Sequence, residues 1–227
     1  GGKWTCYDYG LNVALLMRWP KVIAPGTRTQ AIVHYVDVLP TLLEAAGAQP
    51  EKIDTGLSGA ADGGTGFDGR SFLSVLQGRE QTHGQWAYGV HTTQGIIAGH
   101  PYPIRSVRDE QFKYIVNLLP DSRFQNTVIE SDRANYWRSW VRDAAHDDRA
   151  KLLVNRYIKR PAEELYDLRS DPHEMNNLAD DPRFQPRVEV MKQELDRWMK
   201  QQNDLGVDTE LAAEQRKRRR QRQSTAN

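Results

Sequence analysis

The sequence predicts an α/β protein in two parts. The end of a larger sheet-based domain occupies residues 1–80, a smaller unit of antiparallel sheet plus helix occupies 81–205, and a basic tail follows at 206–227. Three observations carry this reading. Leu11 to Trp19 is nearly continuous in apolar residues, as a strand covered on both faces requires. Two segments, Ile104–Arg108 and Phe112–Asn117, alternate apolar and polar residues around Asp109-Glu110-Gln111, which is the pattern of a hairpin with one buried and one wet face. From Pro186 onward, Val188, Met191, Leu195, Trp198 and Gln202 recur at steps of three and four, as on an amphipathic helix laid on a sheet.

The remaining elements follow in order. Gly1-Gly2-Lys3 opens the chain with two permissive residues and a cation, directly before the expected strand. Pro20 and Ala24-Pro25-Gly26 close that strand, and Ala31–Val36 is a second extended candidate. Asp37 is placed to cap a short helix through Ala46, with Gly47 as its stop. Gln49 to Gly69 is a loop rich in Gly, Ala and Asp, whose spacing matches no phosphate-binding fingerprint. A short helix over Arg70–Leu76 follows, then a strand at Gln85–Val90 past the boundary near residue 80. Arg133 to Tyr157 reads as mainly helical, and Glu164–Leu168 as the last strand.

Composition narrows the function classes. Of 227 residues, 38% are hydrophobic and 27% charged, which is ordinary for a globular chain. The longest apolar runs are too short to span a bilayer, so no membrane partner is expected. The net charge of +1 conceals an asymmetry: Arg216 to Arg222 holds six basic residues in seven positions. Without those six, 25 basic residues face 30 acids, so the body carries about −5 and is no nucleic-acid binder by charge. The tail itself could hold an acidic polymer or be a solvated terminus.

Hydrolysis of a charged ester needs a nucleophile, neutralisation of charge and an acid for the leaving group. Lys3 suits the second role, as a cation at the edge of a buried strand. The six histidines form no zincin pattern. Among them His91 stands out, between a strand and the polar run Thr92-Thr93-Gln94-Gly95, where a loop could reach a ligand. The single cysteine, Cys6, has no histidine close in sequence and is flanked by aromatics, so it is not read as a nucleophile. No calcium-loop spacing occurs in the Asp-rich segments. By itself the chain holds no complete catalytic set and no metal site.

Several stretches together resemble the second half of type I sulfatases. They are Gly2-Lys3-Trp4-Thr5-Cys6-Tyr7-Asp8-Tyr9-Gly10, Arg18-Trp19-Pro20, Val36 to Leu43 with Ala46-Gly47, and Gly69-Arg70-Ser71-Phe72. Farther on, Pro103 to Arg108, Phe112-Lys113-Tyr114, Glu164-Leu165-Tyr166-Asp167 and Asp171 to Ala179 are similar to their C-terminal subdomain, most closely in the heparan N-sulfatase (sulfamidase) group. The likeness implies the C-terminal part of an alkaline-phosphatase-like sulfatase fold, and action on the sulfate esters or N-sulfates of a sulfated sugar or glycosaminoglycan. It also implies calcium and formylglycine as cofactors and a secreted, periplasmic or lysosomal location. Lys3 matches the family position that contacts the substrate sulfate. The Cys/Ser-x-Pro-x-Arg motif that yields formylglycine is absent, and the metal-binding aspartates would lie upstream of Gly1. The expectation is therefore a fragment, inactive and unstable without the N-terminal half of the same protein. Two alternatives share parts of this pattern: a phosphoesterase of the alkaline phosphatase superfamily, and a non-catalytic polyanion-binding module.

Overall fold

A computed structural model describes residues 4–56, 66–92, 101–125, 135–213 and 215. Its centre is a four-stranded antiparallel sheet in the order β1 (Ala87–His91), β2 (Ile104–Arg108), β3 (Phe112–Asn117) and β4 (Glu163–Asp167). The predicted hairpin is present, with Ile104 opposite Asn117 and Arg108 opposite Lys113. Its turn is set by Asp109, whose Oδ1 accepts from the Gln111 and Phe112 amides at 2.8 and 2.7 Å, a local bond that short acidic side chains make readily.

One face of the sheet is apolar. Val107, Tyr114 and Leu165 lie in register across three strands and pack against Val188, Met191 and Leu195 of the helix Gln185–Gln201. The predicted step of three and four places these three helix residues on one buried stripe. Each such side chain taken from water contributes about 2 kcal/mol.

The opposite face is not wet, contrary to expectation. Ser106 and Lys113 are each 1% exposed and Asn117 is 2% exposed. The reason is the opening segment, which lies over this face. Cys6 and the half-buried Trp4 and Tyr7 pack with Ile104, Ile115 and Tyr166, and a helical turn spans Asp8–Leu11. Gly89 on β1 leaves room for it: a Cβ there would stand 2.4 Å from Leu11 Cδ1. Buried polar groups need partners, and carboxylates supply them. Lys113 Nζ donates to Asp8 Oδ1 at 2.7 Å and lies 3.8 Å from Glu174 Oε1, while Arg108 also pairs with Asp8.

The expected strand at Leu11–Trp19 does not form. Residues 12–19 adopt no regular secondary structure, and Leu16 is 91% exposed. A strand satisfies its amide and carbonyl groups on a neighbour, and no described residue pairs with this one. Ala31–Val36 likewise reduces to one bridge, Ile32 with Gly84, followed by a 3₁₀ turn at Tyr35–Asp37.

The helix Val38–Ala45 forms, and Gly47 follows it with φ +87 as expected of a stop. Asp37 precedes that helix but does not cap it. Its carboxylate accepts from the His34 and Arg70 amides at 2.8 and 2.9 Å and lies 3.3 Å from His83 Nε2. Thr41 Oγ1 accepts from the Phe72 amide at 3.0 Å. Burial opposes ionisation of Asp37, but the His83, His34 and Arg70 hydrogen bonds outweigh it and hold the carboxyl below its usual range. The expected helix at Arg70–Leu76 shortens to Leu73–Leu76, because Arg70 and Phe72 spend their amides on Asp37 and Thr41. The helical region after residue 133 is two helices, Asn135–Asp143 and Asp148–Ile158, the second capped by Asp147.

Candidate functional site

The antiparallel order brings four strand termini to one end of the sheet: the last residues of β1 and β3, His91 and Asn117, and the first of β2 and β4, Ile104 and Glu163. Tyr102 precedes β2, Phe124 follows β3, and Arg160 precedes β4. These residues meet on the face covered by the opening segment.

Phe124 is the hub. Its ring centroid lies 5.9 Å from that of His91 and 5.3 Å from that of Tyr102, both edge-on, and the Arg160 guanidinium sits 4.1 Å from its centre. The guanidinium also lies 5.3 Å from the Tyr7 ring and 5.7 Å from the Tyr157 ring. Such contacts attract a cation through the ring quadrupole. The backbone fixes the hub, since the Phe124 amide donates to the Ile158 carbonyl at 2.8 Å.

Glu164 closes the inner side. Its carboxylate accepts from Tyr7 at 2.7 Å, from Asn117 Nδ2 at 2.7 Å and from Tyr166. Burial first, then the adjacent Glu164 charge, pushes the Tyr7 and Tyr166 phenols well above their ordinary range, so both remain protonated donors. Arg156 bridges onward to the Tyr166 hydroxyl at 2.9 Å and to the Glu174 and Met175 carbonyls.

Two residues were singled out from the sequence as site candidates. Lys3 lies outside the described residues. The chain that follows it, from Trp4, packs into the cluster around Phe124. His91 is described: it ends β1, is 7% exposed, and its Nε2 is buried without a hydrogen-bond partner. Burial, reinforced by the Arg160 charge, lowers its pKa to about 4, so the imidazole is neutral near pH 7. Cys6 is buried too, and burial pushes its thiol up to about 11, which disarms it as a nucleophile. Arg160, Tyr102 and Phe124 carried no signal in the sequence. They converge from three connections, and only the strand order brings them together.

On the helix side of the same sheet end lies a cavity of about 380 Å³, lined among others by Val90, Arg105, Trp198, Asp204 and Glu210. Its one cation is already matched: Arg105 pairs with Asp204 and, at 3.0 Å, with Glu210. Among the described residues, no three His, Cys, Asp or Glu side chains gather as a metal site would require.

Residues 2–125 match the family described as N-sulphoglucosamine sulphohydrolase, C-terminal. The chain belongs to that family. An ulvan-active sulfatase of Formosa agariphila is 36% identical over 205 residues, covering 90% of this chain and 36% of the relative. The human N-sulphoglucosamine sulphohydrolase is 32% identical over 152 residues, covering 61% of this chain and 27% of the relative. The chain thus spans about a third of the length of the curated relatives it matches. A solved structure described as a complex with its substrate D-glucosamine-2-N,6-O-disulfate superposes with a TM-score of 0.51 at 23% identity, over 83% of this chain and 28% of that one. This is a likeness of fold, and it agrees with the C-terminal part of an alkaline-phosphatase-like sulfatase fold. The family's sequence motifs also acquire physical roles here. Asp37 and Thr41 tie the Val36–Leu43 motif to Gly69-Arg70-Ser71-Phe72, and Asp8 ties the opening motif to Arg108 and Lys113.

Proposed function

We propose that this chain is the C-terminal third of a sulfatase that removes sulfate from an ester or N-sulfate group of a sulfated sugar or glycosaminoglycan. The observation that carries the proposal is the 36% identity to an ulvan-active sulfatase across 90% of the chain. In this reading calcium and a formylglycine, which would supply a hydrated aldehyde as nucleophile, belong to the rest of the protein. The residues described here do not fit either group: no metal set gathers among them, and Cys6 is buried outside the required motif. The part assigned to this chain is one wall of the substrate pocket. Lys3 would neutralise the sulfate being transferred, and His91 would offer Nε2 from the end of β1. An ammonium beside a sulfate in a water-poor site is worth far more than in bulk water.

Sulfate release from sulfated sugars, followed by ion chromatography, tests this. The full-length protein is expected to release sulfate and the isolated 227-residue chain none. Lys3→Ala in the full-length protein is expected to raise KM about tenfold or more, the equivalent of about 1.4 kcal/mol. Turnover by the isolated chain would overturn the assignment of nucleophile and metal to the remainder.

A further inference from the structure

We propose that Arg160, His91 and Tyr102 form an oxyanion subsite at the end of the sheet. Arg160 is 3% exposed, and its Nε and Nη2 are buried with no hydrogen-bond partner. Its guanidinium is a planar cation with five N–H donors and no acceptor. Aromatic faces offset part of the cost of burying it, but they leave the fork of N–H groups unspent. His91 Nε2 is a second buried atom without a partner, and the Tyr102 hydroxyl a third, facing the Arg160 main chain without reaching hydrogen-bond geometry. All three side chains pack on Phe124.

Unpartnered buried polar groups are rare singly, and three around one ring call for a ligand. Its sign follows from the donors. Nε and Nη2 of Arg160, Nε2 of a neutral His91 and the Tyr102 hydroxyl can all donate, and a tetrahedral oxyanion accepts from every direction. Water could satisfy the donors, but an anion satisfies them through charge-assisted bonds, which are about twice as strong. The carboxylate of Glu164 keeps its charge in the same cluster, but its hydrogen bonds go to Tyr7, Tyr166 and Asn117 and none reaches Arg160. The ligand is therefore a sulfate or carboxylate group, either a free ion or one carried on the sugar beside the sulfate being removed. The second source rests on the sulfatase reading; the anion site does not.

The test uses the full-length protein and two conservative variants, Tyr102→Phe and Arg160→Lys. Crystals soaked in selenate are expected to show an anomalous peak within hydrogen-bond reach of Arg160. Sulfate titrations against equal ionic strength of chloride are expected to give saturable thermal stabilisation that is lost at least tenfold in affinity in Tyr102→Phe. A merely structural Tyr102 predicts the reverse, because deleting an unsatisfied buried hydroxyl leaves the fold as stable or more so and the anion response unchanged. A tenfold rise in KM for a disulfated sugar, but not for its monosulfated counterpart, identifies the anion as sugar-borne. Unchanged KM with the selenate peak present identifies a free ion. No peak, with identical titrations in wild type and both variants, overturns the subsite. If the site binds selenate but the protein releases sulfate from no sugar, the subsite stands and the sulfatase reading fails.

Discussion

Glu174 is 2% exposed and its backbone is held at φ 54. Burial raises its pKa to about 7, against the opposing pull of Lys113 and the Asp8 amide. The folded state therefore binds this proton more tightly than the unfolded chain, where an ordinary glutamate titrates near 4.3. The stabilisation from this group is complete below the unfolded value and is lost as pH rises through about 7. Urea unfolding of the full-length protein at pH 5 and pH 8 is expected to show a loss on the order of 3 kcal/mol in wild type that Glu174→Gln does not share. Equal losses in both proteins would exclude Glu174 as the source. At this scale the sequence was legible only in part. His91 was visible because it ends a strand before a polar run. Arg160 and Tyr102 were not, since nothing in Lys159-Arg160-Pro161 or Pro101-Tyr102-Pro103 indicates that both meet at Phe124.

At the scale of elements, local signals were read correctly where the partner is also local. The hairpin follows from alternation plus Asp109, and the helix Gln185–Gln201 follows from its apolar stripe. Errors arose where a distant segment decides. The alternation of β2 and β3 implied a wet face, but residues 4–11 cover it, and Lys113 finds its carboxylate 105 positions away. As a local signal Asp37 predicts a cap, yet it serves the amide of Arg70, 33 residues on. That union requires close approach: a Cβ on Gly69 would stand 2.2 Å from the Val36 carbonyl oxygen. Gly69→Ala is expected to cost about 1–3 kcal/mol through the forced shift, measured as a lowered urea midpoint with unchanged slope. A neutral result would mean that the two loops separate without loss.

For the whole molecule, the segment from Tyr9 to Leu42 exposes Tyr9, Val13, Leu15, Leu16, Tyr35, Leu39 and Leu42. Single exposed apolar side chains are ordinary, but so many along one segment point to an interaction site. The apolar run Leu11–Trp19, expected as a strand covered on both faces, contributes to this surface because no described residue pairs with it or covers it. The isolated chain is accordingly expected to self-associate at micromolar concentration in sedimentation velocity, and Leu16→Glu to reduce that association. A monodisperse isolated chain would contradict this.

The cover that the opening segment lays over the sheet also imposes an order in time. Tyr7 hydrogen-bonds Glu164 and the Asp8 amide bonds Glu174, across 157 and 166 residues. At ordinary rates of synthesis, about 5–20 residues per second, the 157 residues that separate Glu164 from Tyr7 take roughly 8 to 30 seconds to make. During that interval Trp4, Cys6 and Tyr7 have no sheet to cover, and contacts so distant in sequence slow folding. The final side of this sheet can be sealed only after β4 has been made, so residues 4–11 find their place only long after they are synthesised.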